Sequence, residues 1–254
     1  MPIKITKAVA YTLQSKRFNR LMSLLSEQLP LAVHLRDDAT FDNYHPGDNA
    51  LILEELRRQG AGGERYIYLF GGQGSGKSHL LQAACHQATE LGGVAVYLPL
   101  KDLLTYDPAV LFEGLDQVQL VCLDDIDQVV GDPVWDRALF KLFNELADNH
   151  SNLLIAANNT VAELSIGLPD LTSRLSWGTV FHIYTLNDQQ RLDILRLRAQ
   201  SRGMDLSDDV AQYIYSRCQR DTNSLISVVQ TLDKVSLQEK RRLTMPFVKD
   251  VLGW

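Results

Sequence analysis

The fold is decided by the stretch Gly71-Gly72-Gln73-Gly74-Ser75-Gly76-Lys77-Ser78. It follows the apolar run 66–70 and precedes a helical pattern that begins near Leu80, the order of strand, loop and helix that a phosphate-binding loop requires. The glycines let backbone N–H groups curl around phosphate oxygens, Lys77 reaches the outer phosphates, and Ser78 offers a hydroxyl to Mg²⁺. The stretch therefore predicts a bound nucleotide, ADP or ATP, together with Mg²⁺.

Four further apolar runs of strand length follow the loop, at residues 94–98, 120–123, 153–157 and 180–184. Helical patterns separate them, and strands that alternate with helices predict a parallel sheet. Beyond Tyr184 the strand pattern stops and three or four helices are predicted, the first with Asn187 as N-cap and Gln190 in capping-box position. The predicted fold class is α/β, a P-loop parallel-sheet domain followed by a small all-helical domain.

Composition excludes several classes of protein. The 254 residues are 45% hydrophobic, enough for a sizeable core, and carry 25 basic against 31 acidic side chains, which argues against a domain that neutralises DNA phosphates. No apolar run approaches the roughly 20 residues that span a bilayer, so no membrane association is expected and a cytoplasmic protein is predicted. Three cysteines and six histidines lack metal-ligand or disulfide spacing. They are Cys85, Cys122, Cys218, His34, His45, His79, His86, His150 and His182.

Polar side chains follow two of the predicted strands. Asp124 and Asp125 end the run 120–123, where the first carboxylate can hold Mg²⁺ and the second can orient an attacking water. Asn158 ends the next run, from which its amide can reach the γ-phosphate or that water. Alternative interpretations are a solvated strand-end turn for the two carboxylates and an ordinary turn for Asn-Asn-Thr. Asp127 is predicted to be a surface group.

With these features the chain resembles the AAA+ ATPases, and more closely the branch of the bacterial replication initiator DnaA. The stretches that carry the resemblance are Thr40-Phe41-Asp42-Asn43-Tyr44, Gly47-Asp48-Asn49 and Leu171-Thr172-Ser173-Arg174-Leu175-Ser176-Trp177-Gly178. The resemblance covers roughly residues 41–254. It implies an AAA+ domain with a helical lid, and base contacts from the segment that contains Asn49.

The resemblance is closest to the short regulators of the DnaA-like family, which lack the initiator's DNA-binding domain. The sequence stops at Trp254, where that domain is expected to begin, so any contact with DNA is expected to be indirect. Such regulators carry a short peptide for the DNA polymerase III sliding clamp. The segment Gln28-Leu29-Pro30-Leu31-Ala32-Val33 has the right position, with Leu29 and Leu31 as apolar anchors and Gln28 fixing the register. Ala32 and Val33 are smaller than the residues that usually close this motif.

The resemblance also implies roles for two more positions. Arg174 is expected to be an arginine finger, donated in trans to ATP held by a neighbouring DnaA subunit, because a planar guanidinium suits a transferring phosphoryl group. Asn223 occupies the position of the family's sensor arginine in the lid. A lid without that cation implies stable nucleotide occupancy, with ADP preferred, and slow hydrolysis by the chain itself.

The resulting hypothesis has three parts along the chain. Residues 1–40 form an N-terminal arm with the clamp-binding peptide 28–33, residues 41–185 an AAA+ nucleotide-binding domain, and residues 186–254 a helical lid. The predicted function is a nucleotide-bound regulator that, with the DNA-loaded clamp, stimulates hydrolysis of DnaA-bound ATP and so prevents re-initiation. Alternatives are a helicase loader of the DnaC type and an autonomous AAA+ ATPase motor. The sequence leaves open whether the resting form is a monomer or a homodimer.

Overall fold

The structure is a computed structural model that describes residues 35–59, 62–218, 222–239 and 241–254, and for residues 222 and 223 the backbone alone. The chain divides into two compact units, with the boundary between Tyr184 and Thr185. The predicted arm, with Gln28, Leu29 and Leu31 of the clamp peptide, lies outside the described residues before residue 35.

Five parallel strands form the sheet of the first unit. They are β1 (Tyr66–Phe70), β2 (Ala95–Pro99), β3 (Leu120–Asp124), β4 (Asn152–Ala157) and β5 (Thr179–His182). Their order across the sheet is β2-β3-β4-β1-β5. After β1 the chain therefore crosses to β2 at the far edge, comes back through β3 and β4, and adds β5 on the other side of β1. Such a reversal of strand order is where open α/β sheets bind ligands, beyond the carboxyl ends of the strands.

Nine α-helices accompany the strands in the described part of the chain, five in the first unit and four in the second. Those of the first unit are α1 (Ala50–Arg58), α2 (Lys77–Glu90), α3 (Pro108–Leu111), α4 (Pro133–Asp148) and α5 (Pro169–Leu175). Those of the second are α6 (Asp188–Ser201), α7 (Asp208–Arg217), α8 (Thr222–Glu239) and α9 (Met245–Leu252). Short 3-10 turns lie at 47–49, 100–102, 115–117, 126–128 and 161–163.

Helices cover both faces of the sheet. In β1, Ile67 and Leu69 belong to a core shared with α1 and α2, whereas Tyr68 belongs to a core shared with α4 and α5. This alternation follows from the two-residue period of a strand, and burial on both faces explains why the strands read as continuous apolar runs. The predicted α/β class and parallel sheet are confirmed.

The elements of the second unit, where the structure describes it, are all helices. The Asn187 side chain accepts a hydrogen bond from the Gln190 N–H, and the Gln190 side chain accepts one from the Asn187 N–H, a capping box that starts α6. Thr244 caps α9, with Pro246 in its first turn. Leu195, Ile214, Leu232 and Phe247 form the centre of the unit's own apolar core. None of the helices described is long and apolar enough to cross a membrane.

Candidate functional site

The phosphate loop leaves β1 and enters α2 as the sequence predicts. Gly72, Gln73 and Gly74 form an exposed rim, and Gly74 and Gly76 have φ angles of +77° and +100°, which side chains rarely adopt. A Cβ on Gly71 would lie 2.3 Å from the Ile183 carbonyl oxygen. The glycines are therefore required by close packing and by backbone conformation, and the open rim matches a cradle for phosphate oxygens.

Lys77 lies in the first turn of α2 with its ammonium turned back into the loop. Its Nζ donates to the carbonyl oxygens of Gly71 at 2.6 Å and Gly72 at 3.0 Å, and to Asn158 Oδ1 at 3.3 Å. Burial lowers the pKa of Lys77, and the charges of Asp124 and Asp125 oppose that shift. The ammonium is thus held at the mouth of the loop, where phosphate oxygens can replace the carbonyl oxygens as its acceptors.

Asp124 ends β3 almost fully buried, with 1% of its surface exposed. The Tyr97 hydroxyl donates to its Oδ2 at 2.7 Å, and the Ser78 hydroxyl forms a further hydrogen bond with the carboxylate. Burial raises the pKa of Asp124, while these two hydrogen bonds lower it. Ser78 and Asp124 therefore lie together, as a shared Mg²⁺ site requires.

Asp125 follows directly in the left-handed region, with φ 55° and ψ 44°. Its Oδ2 is shielded from solvent and forms an ion pair with Lys101 Nζ at 2.8 Å. Close contact with Asp125 raises the pKa of Lys101 more than burial lowers it. The carboxylate predicted to orient the attacking water is thus held by a cation that sequence reasoning did not select.

Asn158 follows β4, the strand that lies between β3, which ends in Asp124, and β1, which precedes the loop. Its backbone N–H and its Nδ2 donate to the two carboxylate oxygens of Asp127, at 3.1 Å and 2.9 Å. The 3-10 turn 126–128 places Asp127 there, and this half-buried residue, predicted as a surface group, is hydrogen-bonded to Asn158. Asp127 orients the Asn158 amide and leaves its Oδ1 facing Lys77.

The segment before α1 lies along α2 and covers the loop. A Cβ on Gly76 would lie 2.9 Å from the Tyr44 ring, and burial raises the pKa of Tyr44 to about 12. Asn49 is 1% exposed, and its amide pairs with the backbone of Tyr184, donating at 3.0 Å and accepting at 2.8 Å. The Asn49 side chain thus connects this segment to the chain after β5 and supports Tyr44 beside the loop.

Arg174 lies elsewhere on the first unit, in the last turn of α5. Its guanidinium carbon is 5.0 Å from the centre of the Trp177 ring, a cation–π contact. Trp177 is 58% exposed, so the pair lies at the surface. Within the described residues Arg174 has no ion-pair partner.

Trp177 is held by a stack of aromatic rings. Its ring is 5.6 Å from that of Tyr66, nearly parallel, and Tyr66 is 5.0 Å from Phe143. A Cβ on Gly178 would lie 2.1 Å from the Tyr66 carbonyl oxygen, so only glycine lets the chain pass this close. The stack joins the surface arginine to the rigid first residue of β1.

The position of Tyr66 decides which phosphates Arg174 can reach. Tyr66 begins β1 and Gly71 follows its last residue, Phe70, and four steps of about 3.3 Å per residue separate the two ends by roughly 13 Å. Arg174 lies at the amino end, whereas the phosphate loop lies at the carboxyl end. Arg174 therefore lies near the end of β1 opposite the phosphate loop of its own chain.

The structure brings most, but not all, of the predicted site residues together. The loop 71–78, Asp124, Asp125 and Asn158 meet at the carboxyl edge of the sheet, with Asn49 supporting the adjacent wall. The side chain of Asn223 lies outside the described residues. Sequence reasoning missed Lys101, Asp127 and Tyr97, because none of them stands within a motif.

The residues present fit a magnesium nucleotide. Mg²⁺ prefers oxygen ligands, keeps several waters and is completed by substrate phosphates, and the Ser78 hydroxyl beside the Asp124 carboxylate supplies such an open site. In the part of the chain that the structure describes, no three His, Cys, Asp or Glu side chains form a closed metal site. When bound, Mg²⁺ would neutralise charge on the phosphate oxygens.

Comparison with known proteins gives matches over both units. The family model described as "Hda, lid domain" matches residues 188–252. An uncharacterised protein of Haemophilus influenzae is 41% identical over 231 residues, which are 90% of this chain and 100% of that protein. Domain III of the Thermotoga maritima replication initiation protein DnaA is similar with TM-score 0.69 at 22% identity, over 87% of this chain and 98% of that one. AMPPCP-bound DnaA from Aquifex aeolicus is similar with TM-score 0.67 at 23% identity, over 81% of this chain and 68% of that one.

The strand order, the phosphate loop and the helical second unit define an AAA+ P-loop protein with a DnaA-like fold. Residues 188–252 match the Hda lid-domain family, and nearly the whole chain is related to the Haemophilus influenzae protein. The family resemblance seen in the sequence is thereby confirmed, as is the helical lid.

Proposed function

We propose that this protein regulates the initiation of DNA replication by activating hydrolysis of ATP on DnaA. It holds ADP as its resting nucleotide, with Mg²⁺, in the loop 71–78. It docks on the DNA-loaded sliding clamp through residues 28–33 and donates Arg174 to the nucleotide of a neighbouring DnaA subunit. The outcome is suppression of premature re-initiation.

The placement of Arg174 carries this proposal. The guanidinium lies at the surface on an exposed tryptophan, at the end of β1 away from the chain's own phosphate loop. Its charge is unpaired by any carboxylate in the described residues, so a partner's phosphates can attract it without breaking an ion pair. A surface salt bridge, the usual role of a lone arginine, is not what this geometry supports.

The chain's own pocket serves a different purpose in this proposal. Lys77, Ser78 and Asp124 would hold the nucleotide and Mg²⁺, and Tyr44 beside Gly76 would form a wall near the base. Asn223 stands where the family places a cationic sensor, which supports slow turnover by the chain alone. A stably bound nucleotide would keep the AAA+ domain in one shape.

The test is a hydrolysis assay on DnaA loaded with labelled ATP. Conversion to ADP is expected to be fast only when this protein, the clamp and DNA are all present, and each is left out in turn. Full stimulation without the clamp would contradict the docking step. Free ATP turnover by the chain alone at AAA+ motor rates, or tight binding of the replicative helicase instead of DnaA, would favour one of the alternative functions.

The tryptophan beneath Arg174 provides a graded test. Trp177→Ala is expected to lower the maximal rate of stimulated hydrolysis about 3- to 10-fold, the size of a cation–π contact, while the DnaA concentration for half-stimulation stays unchanged. Trp177→Phe keeps an aromatic face and is expected to recover most of the rate. Trp177→Ala removes a stacked ring and is expected to lower the unfolding midpoint modestly, while nucleotide binding should stay unchanged. Equal rates for both variants and the parent would show that the ring does not position Arg174.

Clamp docking is tested with paired substitutions in the N-terminal arm. Gln28→Ala with Leu31→Ala is expected to abolish capture by the DNA-loaded clamp, because a register-fixing amide and an apolar anchor of such a peptide together contribute at least about 30-fold in affinity. Leu13→Ala with Gln14→Ala, the same residue types upstream, is the matched control. Both doubles should bind nucleotide normally. Undiminished capture by the first double would remove the peptide from the proposal.

A further inference from the structure

A second arginine, Arg65, lies beside the aromatic stack that carries Arg174. Arg65 directly precedes β1, and its carbonyl oxygen accepts a hydrogen bond from the Leu153 N–H at 2.8 Å, which fixes its backbone against β4. Burial raises the pKa of Tyr66, whereas the guanidinium charges of Arg65 and Arg174 lower it, Arg65 more strongly. Both cations therefore lie close to one hydroxyl, at the amino end of β1.

Arg65 is held in place by a neutral acceptor. Its Nη1 donates to His150 Nδ1 at 2.9 Å, and because a guanidinium has no acceptor atom, this ring nitrogen must supply the lone pair. No carboxylate in the described part of the chain lies within ion-pair distance of Arg65. The guanidinium is thus positioned with its charge intact.

The backbone at His150 is unusual for a residue with a side chain. His150 follows α4 with a φ angle of +59°, the left-handed conformation that glycine usually supplies at this position. Its N–H donates to the Ala147 carbonyl oxygen at 3.2 Å. The Ser151 N–H donates to that of Leu146 at 3.0 Å, which completes a Schellman motif. This helix end holds the imidazole at a fixed position beside Arg65.

The surface around Arg174 therefore has more hydrogen-bond donors than acceptors. Arg174 contacts an indole ring and Arg65 an imidazole, so neither charge is neutralised. The Tyr66 hydroxyl has no hydrogen-bond partner among the described residues, and its ring is held 5.6 Å from that of Trp177. Asp148 supplies one opposing charge. Two guanidinium groups and a hydroxyl, all positioned by neutral rings, are suited to bind an anion such as phosphate.

We propose that Arg65 is a second phosphate-binding residue of the surface that carries Arg174, with the Tyr66 hydroxyl as a further donor. The ligand is the γ-phosphate of the ATP that a neighbouring DnaA subunit holds. This inference rests on the proposed function, since it adds residues to the site at which Arg174 acts. Arg65 binds charge that the phosphate already carries before the reaction, whereas Arg174 stabilises charge that spreads in the transition state. The two arginines therefore have separate kinetic signatures.

The first experiment measures stimulated hydrolysis of DnaA-bound ATP, with clamp and DNA present, as the DnaA concentration is varied. Arg65→Ala is expected to raise the DnaA concentration for half-stimulation about 10-fold and to keep the maximal rate within about twofold, because a charge-assisted hydrogen bond is lost equally from both states. Tyr66→Phe keeps the stacked ring and loses the hydroxyl, so the same concentration should rise about 3- to 10-fold. Arg58→Ala removes a largely exposed arginine on α1 and should match the parent.

A matched pair of substitutions at His150 tests whether the charge of Arg65 must stay unpaired. Asparagine and aspartate are alike in size and both tolerate a φ angle of +59°, so the two variants differ in charge alone. His150→Asn keeps a neutral acceptor and is expected to stay within about twofold of the parent. His150→Asp supplies a carboxylate to the guanidinium, so the DnaA concentration for half-stimulation should rise about 3- to 5-fold.

Binding without turnover separates phosphate from protein as the ligand of Arg65. DnaA is loaded with AMPPCP or with ADP, and its affinity for the full-length chain on the DNA-loaded clamp is measured. Arg65→Ala should lose about 10-fold in affinity for the AMPPCP form and less than about twofold for the ADP form, which lacks a γ-phosphate. Equal losses for both forms would mean that Arg65 contacts a carboxylate of DnaA, and would overturn the inference.

Two kinetic results would also overturn the inference: half-stimulation by Arg65→Ala at the parent's DnaA concentration, or equal effects of His150→Asn and His150→Asp. Either result, obtained while the parent stimulates DnaA and Arg174→Ala does not, would leave the proposed function standing. A parent protein that fails to stimulate DnaA at all would instead overturn the proposed function, so the two failures are distinguishable.

Discussion

Arg174→Ala is expected to reduce stimulated hydrolysis of DnaA-bound ATP by a factor on the order of 10³ to 10⁵, the usual contribution of an arginine finger supplied in trans. The physical reason is that the guanidinium stabilises charge that spreads over the phosphoryl oxygens only in the transition state. Arg174 is suited to this because it lies at the surface, unpaired by carboxylates in the described residues, and is held over an indole ring. Even a 10³-fold loss would bring the rate of ATP hydrolysis close to that of DnaA alone.

Two further variants make the result specific. Arg174→Lys keeps the charge but loses the planar fork of donors, so we expect it to stay close to the alanine variant. Arg58→Ala removes a largely exposed arginine on α1, which packs on the face of the sheet opposite α5, and should stimulate normally. Clamp capture and nucleotide content are measured for all three and should match the parent. Full stimulation by Arg174→Ala would show that the finger is another residue.

How much of the site the sequence could predict depends on how far apart along the chain the interacting residues lie. The loop 71–78 is local, because strand, turn and helix follow one another and each residue's chemistry is read directly from its position. Asp124 and Asn158 were found for a related reason. The carboxyl ends of parallel strands meet at one edge, so polar residues just after β3 and β4 had to lie near the loop.

The residues that were missed depend on register and on turn geometry. Lys101 precedes Asp125 by 24 positions and approaches it only because Pro99 pairs with Asp124. A sequence pattern shows that two strands exist, but it fixes neither their adjacency nor their register. Asp127 is directed toward Asn158 by a 3-10 turn that no motif specifies.

Asn49 shows a limit of prediction from family resemblance. Family resemblance placed it among the residues near the base of the nucleotide. In the structure its buried amide is already engaged, because Oδ1 accepts from the Tyr184 N–H and Nδ2 donates to the Tyr184 carbonyl oxygen. A buried amide that is fully hydrogen-bonded costs free energy to redirect. We therefore expect Asn49 to act on the nucleotide through Tyr44, which it supports, a role that sequence comparison does not separate from direct contact.

Lys77→Met is expected to lower affinity for ADP and ATP by about 10²-fold or more. Its ammonium is poised at the mouth of the loop, 2.6 Å from the Gly71 carbonyl oxygen, and charge-assisted hydrogen bonds to phosphate contribute about 1.5 to 3 kcal/mol each. Methionine keeps the length and apolar stem of the side chain, so the loss reports the charge and its donors.

The measurement is the rise in unfolding midpoint on adding ADP with Mg²⁺. A ligand at 100 times its dissociation constant stabilises a protein by about 2.7 kcal/mol, and a 10²-fold weaker ligand at the same concentration by only about 0.4 kcal/mol, so the rise should nearly vanish. Lys141→Met changes an exposed side chain on α4 and should respond like the parent. An undiminished rise in Lys77→Met would mean that the nucleotide does not lie in this loop, and Ser78 and Asp124 would then have no part in holding its Mg²⁺.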